Sequence, residues 1–199
     1  MQCHDVERSQ YQQRCQTMTF TKVPPRRVVV GNGADGKSKV IFDSLNPHQH
    51  ARGGGANVFF NEIWTFDDCP IDLTDHHDGG DRAMSHSPPA NGAHFRVIQS
   101  DKEETNIIDQ SAADDVFASM NVTGLSERVQ SDRHWNMHRT RTVDYGVVSA
   151  GERIHVLPDG EFVMHTGDVI VQLGHPHSWD SARGPNDMLF VMIGGDKYE

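Results

Sequence analysis

The chain has 199 residues, 36% of them apolar, and a formal net charge of -10. That length accommodates one medium domain with a buried core and is short for two. The acidic balance, without any Lys/Arg-rich block, disfavours a nucleic-acid partner. No apolar run approaches the roughly 18 residues of a membrane span, and the opening MQCHDVERSQYQQRCQ lacks the apolar stretch of a secretory signal. A soluble, cytoplasmic protein with no membrane partner is expected. The three cysteines, Cys3, Cys15 and Cys69, make no ligand-spaced pair and no even set, so structural disulfides are not expected.

Residues 1–20 are polar and Gln-rich and read as a flexible leader, with Met18 as an alternative start. One domain is expected over 21–199, with a β extension over about 21–110 and the chemistry-bearing segments over about 134–195. RRVVVGNGADGKSKVIFDS carries two apolar runs around a Gly/Asn/Asp turn, the pattern of a hairpin. A glycine-rich phosphate loop is the competing reading of GNGADGKS, but no helix pattern follows Gly36 to stand behind a phosphate. Strands are expected over 56–66 and 93–99. The segment between them is dense in His, Asp, Gly and Pro; His76, His77 and His86 there read as members of a solvated loop rather than ligands. SAADDVFASMN predicts a short helix with Ser111 as its N-cap. From residue 141 onward, short apolar or alternating runs are punctuated at Gly151, Asp159-Gly160, Gly167, Gly174 and Gly184-Pro185. Even spacing of such strands indicates an antiparallel barrel or jelly roll.

Within MHRTRTVDYGVVSAGE, His138, Thr140, Thr142 and Asp144 share one face of a strand, while Val143, Tyr145 and Val147 share the other. An inward polar face in a small barrel is costly unless its groups bind one another, water, a metal or a ligand, so these side chains are expected to line a cavity. Arg139 and Arg141 then point away from it, toward ion pairs on the outer face. His175, His177 and Trp179 share the parity of a second segment.

HRTRTVDYGVVSAGE resembles the first motif of the cupin superfamily, H-x-H-x3-E-x6-G, and GDVIVQLGHPHSWDS resembles the second, G-x5-P-x-G-x2-H-x3-N. Matched by position, His138 stands at the first histidine, Thr140 at the second, Asp144 at the glutamate and Gly151 at the closing glycine. Gly167, Gly174 and His177 match the second motif, while Leu173 and Ser181 depart from its proline and asparagine. The stretch also resembles a group of small single-domain cupins carrying HRTxTVDYG. The resemblance implies an all-β cupin jelly-roll β-barrel with an N-terminal strand extension and one or two short helices.

It also implies a site. His138, Asp144 and His177 would form two imidazoles and a carboxylate around one divalent transition metal (iron, manganese, zinc or nickel), with Thr140 replacing the usual further histidine. His138, His177, Asp144 and Thr140 are the candidate catalytic residues, and Thr142, Trp179 and His175 the candidate substrate-binding ones. His155 and His165, flanking the hairpin of LPDGE, read as surface residues. The expected function is modification of a small, partly apolar organic molecule by a metal-dependent lyase or oxygenase. Metal-free acid–base isomerisation or dehydration, and passive binding of a small molecule, stay open. A homodimer is expected, a closed two-fold being the commonest assembly.

Overall fold

The computed structural model describes residues 23–52, 58–100, 110–122, 125–181 and 184–196. The leader, with Cys3, Cys15 and Met18, lies outside the described residues. The fold is all-β, an antiparallel cupin-type jelly roll with one described helix. The hairpin forms as expected from strands β1 (Arg26–Asn32) and β2 (Ser38–Leu45), with Arg26 opposite Leu45. Strand β3 (Gln49–Ala51) follows, too short to leave a periodic signal. Strands β4 (Val58–Phe66) and β5 (Ala93–Ser100) fall where the β-branched and aromatic runs lie. Helix α1 spans Gln110–Ser119, starting two residues earlier than a Ser111 cap requires, so Ser111 is inside the first turn.

The remaining strands are β6 (Ser126–Arg128), β7 (His138–Thr140), β8 (Thr142–Ala150), β9 (Glu152–Leu157), β10 (Gly160–His165), β11 (Val169–Leu173), β12 (Ser178–Asp180) and β13 (Asn186–Gly194). One layer is a six-stranded sheet in the order β11-β8-β13-β5-β4-β3. A second layer holds β10-β9-β12, continued through a lone bridge between His138 and His177 to the pair β6-β7. Gly151 turns the chain from β8 to β9 at φ +73°, and a Cβ there would sit 2.3 Å from the Pro185 carbonyl oxygen. Glycine is therefore required both by the left-handed backbone and by the close approach.

The alternation in β8 is as its sequence predicts: Thr142, Asp144 and Val148 are buried while Tyr145 and Ser149 are exposed. The inward side chains fall into two apolar clusters. One gathers Val148, Met164, Trp179, Met188, Phe190 and Met192; the other gathers Val58, Phe60, Val116, Phe117 and Met120 beneath α1. Between them the two layers enclose polar groups, and that gap is where the sequence motifs meet.

The loop joining β4 to β5 is more ordered than its composition suggests. Asp78 accepts hydrogen bonds from both terminal nitrogens of Arg27, at 2.5 and 2.6 Å, and lies 3.0 Å from His48 Nε2. His77 is exposed as expected and pairs with Asp75. His86 departs from the solvated reading: it is buried, with Nδ1 2.9 Å from Ser126 Oγ and its ring edge-on to His138 at 4.8 Å. The loop folds back over the mouth of the two layers, which composition alone cannot reveal. Cys69 is a free, exposed thiol.

Candidate functional site

His138 and His177 face one another across the second layer. Each backbone N–H donates to the other's carbonyl, at 2.9 and 2.8 Å, and the ring centroids are 4.6 Å apart. His138 Nδ1 lies 2.7 Å from the Asn136 carbonyl oxygen and His177 Nδ1 lies 2.9 Å from that of His175. Since a carbonyl can only accept, both Nδ1 atoms carry the proton, and both Nε2 atoms present lone pairs. Burial lowers the pKa of His138 and, with the neighbouring imidazole, lowers that of His177 further, so both rings are neutral.

Asp144 stands on the other layer. Gln172, directly opposite it in the β8–β11 register, donates from Nε2 to Asp144 Oδ2 at 3.1 Å. Burial raises the Asp144 pKa to about 6, partly offset by hydrogen bonds from Thr142 and Gln172. Its Oδ1 is buried without a hydrogen-bond partner. Thr140 is buried beside it in the sequence pattern, with Oγ1 2.7 Å from Thr142 Oγ1.

His138, His177, Asp144, Thr140 and Trp179 line one chamber of about 60 Å³, closed on its apolar side by Phe60, Phe190 and Met192. Trp179 thus serves both core and chamber wall. Thr142 and His175 stand behind the wall, Thr142 through its bond to Thr140 and His175 through the carbonyl that orients His177. Arg139 points away, paired with Glu127, and Arg141 lines a separate outer pocket.

His155 corrects the surface expectation. It is fully buried on β9, with Trp179 at 4.3 Å, His177 at 5.3 Å and His175 at 5.5 Å between ring centroids. Strand β9 has a neighbour on each side, and Phe162 of β10 and Trp179 of β12 stand opposite His155 in register and pack their rings against it. Burial and the His175 ring lower the His155 pKa to about 4. His165, at the end of β10, is exposed as expected and contacts Glu152.

The polar chamber residues Arg52, Arg96, Asn136, Arg153 and Gln172 escaped the sequence reading. The signal for Arg153 was present, because RIHV alternates polar and apolar positions as TVDY does, and Arg153 and His155 share the inward parity. Gln172 is the lone polar residue of the VIVQL run.

The two free Nε2 atoms are donors of the right chemistry for a divalent transition metal. Among the described residues, however, no group of three or more His, Cys, Asp or Glu side chains is arranged to hold a metal ion. His138 and His177 reach the chamber from one layer and Asp144 from the other.

The fold and site thus define a cupin-type jelly roll with a small chamber lined by neutral histidines. Two curated fungal proteins are similar along most of its length. The cupin-domain-containing oxidoreductase fogC of Aspergillus ruber is 27% identical over 172 residues, covering 84% of this chain and 71% of that protein. The cupin-domain-containing oxidoreductase virC of Hypocrea virens is 26% identical over 179 residues, covering 84% and 74%. A shorter match, 52% over 44 residues, relates 22% of this chain to 23% of the phomopsin biosynthesis cluster protein C' of Diaporthe leptostromiformis. These relatives support the cupin resemblance of the motifs. No family model matches the chain. Among solved structures, the cupin domain of Schizosaccharomyces pombe Cnp3 aligns with a TM-score of 0.42 at 8% identity, covering 85% of this chain and 87% of that one. The Clostridium difficile EutQ protein aligns with 0.41 at 8%, covering 85% and 88%.

Proposed function

We propose that the chain is a small-molecule-modifying enzyme of the cupin type whose chemistry is proton transfer in the histidine chamber, of the isomerase or dehydratase class. The observation that carries this reading is the His138–His177 pair: two neutral imidazoles whose Nε2 lone pairs are engaged by no described residue. One Nε2 accepts a proton from a substrate carbon or hydroxyl. Asp144, raised by burial to about 6, is poised near neutral pH and therefore matched to give and retake a proton. In a dehydration the proton taken from carbon stays on imidazole, the Asp144 proton leaves with the hydroxyl as water, and a later exchange with solvent restores both. In an isomerisation the proton returns to a neighbouring carbon. Phe190 and Trp179 keep bulk water from the reacting atoms.

A second reading is supported by the fungal relatives, both cupin-domain-containing oxidoreductases, and by the two free imidazole nitrogens. In it the enzyme is an oxidoreductase or lyase, with His138 and His177 holding one divalent transition metal. Such a metal, when bound, supplies Lewis acidity or electron transfer.

The test is incubation of the protein, purified without a histidine tag and stripped with chelator, with a small-molecule extract in D2O. Mass spectrometry then follows deuterium entering individual compounds. Proton-transfer chemistry predicts incorporation that survives chelation and is lost in His138→Gln and His177→Gln. Incorporation lost on chelation, together with about one metal per chain before it, supports the second reading. A mass spectrum identical for wild type and both variants, with and without metal, overturns both and leaves passive binding.

A further inference from the structure

The segment SHSPP, residues 85–89, brings to the chamber an imidazole that the proton transfer above leaves unused. Pro88 restricts Ser87 to an extended backbone, and the loop just before it is held from β5. Arg96 donates from Nη2 to the Ser85 carbonyl at 2.6 Å and from Nη1 to the His86 carbonyl at 3.0 Å. Glu62, 2.7 Å from Arg96 Nη2, holds that guanidinium in turn. His86 is thereby buried and set into the chamber wall. Its ring stands edge-on to His138 at 4.8 Å, and His138 lies 4.6 Å from His177, so His138 has both other rings as neighbours.

The three rings differ in what holds Nδ1. Carbonyls hold those of His138 and His177, which leaves Nε2 as a lone pair in both. His86 Nδ1 instead lies 2.9 Å from Ser126 Oγ. Strand β6 sets Ser126 opposite Thr140 of β7, and both are buried. A hydroxyl donates as readily as it accepts, so Ser126 permits a proton on either nitrogen of His86. Burial, with His138 and Arg96 as neighbours, holds the His86 pKa well below the ordinary histidine range, so the ring is neutral and carries one proton. A third lone pair set beside those of His138 and His177 is repelled in a small space of low dielectric, whereas an N–H is attracted. The chamber therefore favours the form in which Ser126 donates to Nδ1 and the proton sits on Nε2.

We propose that His86 is a hydrogen-bond donor to the substrate, its Nε2–H directed at a carbonyl oxygen, so that the chamber takes small compounds with a C–H bond next to a carbonyl. The proposal rests on the proton-transfer reading and names its substrate class. The C–H bond breaks, its proton goes to Nε2 of His138 or His177, a carbon–carbon double bond forms, and the carbonyl pair moves onto oxygen. His86 holds that oxygen by its N–H without giving up the proton, as a preorganised neutral donor does for a developing oxyanion. The enolate then collapses by taking a proton back at carbon, or by expelling a β-hydroxyl that leaves as water with the Asp144 proton.

The test reads the ring and the reaction separately, on the whole protein. Long-range 1H–15N NMR, with His86→Gln supplying the assignment, should show His86 protonated at Nε2 and bare at Nδ1, the reverse of His138 and His177. A proton on His86 Nδ1 overturns the proposal. In the D2O incubation, deuterium is expected at carbons next to a carbonyl. His86→Leu should slow that exchange about a hundredfold or more, the usual effect of removing one oxyanion donor. His86→Gln keeps an N–H at a similar reach and should recover most of the loss. Exchange in His86→Leu equal to wild type, equal losses in the two variants, or exchange confined to compounds without a carbonyl overturns the proposal. If His86→Leu does not fold, the ring signal decides alone. The Nε2–H form without exchange in any compound sinks the proton-transfer reading and leaves the donor standing; exchange lost in His138→Gln and His177→Gln but intact in His86→Leu does the reverse.

Discussion

His138 and His177 are joined twice, by reciprocal backbone hydrogen bonds of 2.9 and 2.8 Å and by rings whose centroids lie 4.6 Å apart. The backbone pairing fixes the distance between the rings, and the carbonyls of Asn136 and His175 fix their rotation. The pair is therefore preorganised by main chain rather than by other side chains, which leaves both outer nitrogens for a ligand. Replacing either ring by glutamine should lower deuterium exchange by about a hundredfold or more, the usual worth of a positioned acid or base. His165→Gln, at an exposed position outside the chamber, should leave exchange unchanged. Comparable losses in all three variants would contradict the assignment.

Acid should destabilise the protein from about pH 6.5 downward. Burial lowers the pKa of His86, His94, His138, His155 and His177 in the folded state, whereas each titrates near ~6.5 when unfolded. Below that pH the unfolded chain binds protons that the folded chain refuses, so the stability present above it is lost as pH falls toward the folded values. Asp144 acts in the opposite sense: raised to about 6, it holds a proton in the fold between its unfolded value of ~3.9 and 6. Burial also lowers the pKa of His134 and His175, so one carboxyl opposes seven imidazoles and the net slope is set by the imidazoles. Urea midpoints at pH 8, 7, 6 and 5 should be level at first and then drop; a midpoint that stays flat or rises at pH 5 would be inconsistent with buried neutral rings.

The motif-bearing face was legible in the sequence because strand parity is a local property. TVDY and HPHSW each announce which side chains travel together, and the structure puts Asp144 and Thr142 inward on β8 as parity requires. Burial of His155 and His86 was not legible, for two different physical reasons. His155 is covered because β9 has neighbours on both sides, a fact of sheet order rather than of its own sequence. His86 is covered because a loop of turn-forming residues is pinned by Arg27 and His48 on Asp78, partners 51 and 30 residues away. Arg153 carried a parity signal, but a strand reading that takes arginine as a surface residue discards it.

The Glu62–Arg96 pair should be costly to break from either side. Both side chains are almost wholly buried at 2.7 Å, and removal of one charge strands the other in a low-dielectric interior. Glu62→Gln is expected to cost about 3–5 kcal/mol, measured by urea denaturation. A loss below 1 kcal/mol (about fivefold in the folding constant) would mean that the carbonyls of Ser85 and His86 suffice for the guanidinium.

Two glycines of like backbone separate conformation from crowding. Gly151 and Gly167 have φ of +73° and +95°, but a Cβ at Gly151 would strike the Pro185 carbonyl oxygen while one at Gly167 meets nothing within 4 Å. Gly167→Ala should therefore cost about 1–2 kcal/mol, and Gly151→Ala about 2 kcal/mol more through displacement of backbone. Equal losses in the two variants would show that the β13 approach yields without cost.

The histidine pair itself is most directly examined by long-range 1H–15N NMR of the imidazoles, with His138→Gln and His177→Gln supplying the assignments. Both rings should show the neutral Nδ1–H form, with an unprotonated Nε2, at pH 7 and above, and each should gain its proton only below the pH at which a free histidine does. Either ring appearing as the Nε2–H form, or gaining a proton with a midpoint near ~6.5 as a solvent-exposed histidine does, would contradict the account.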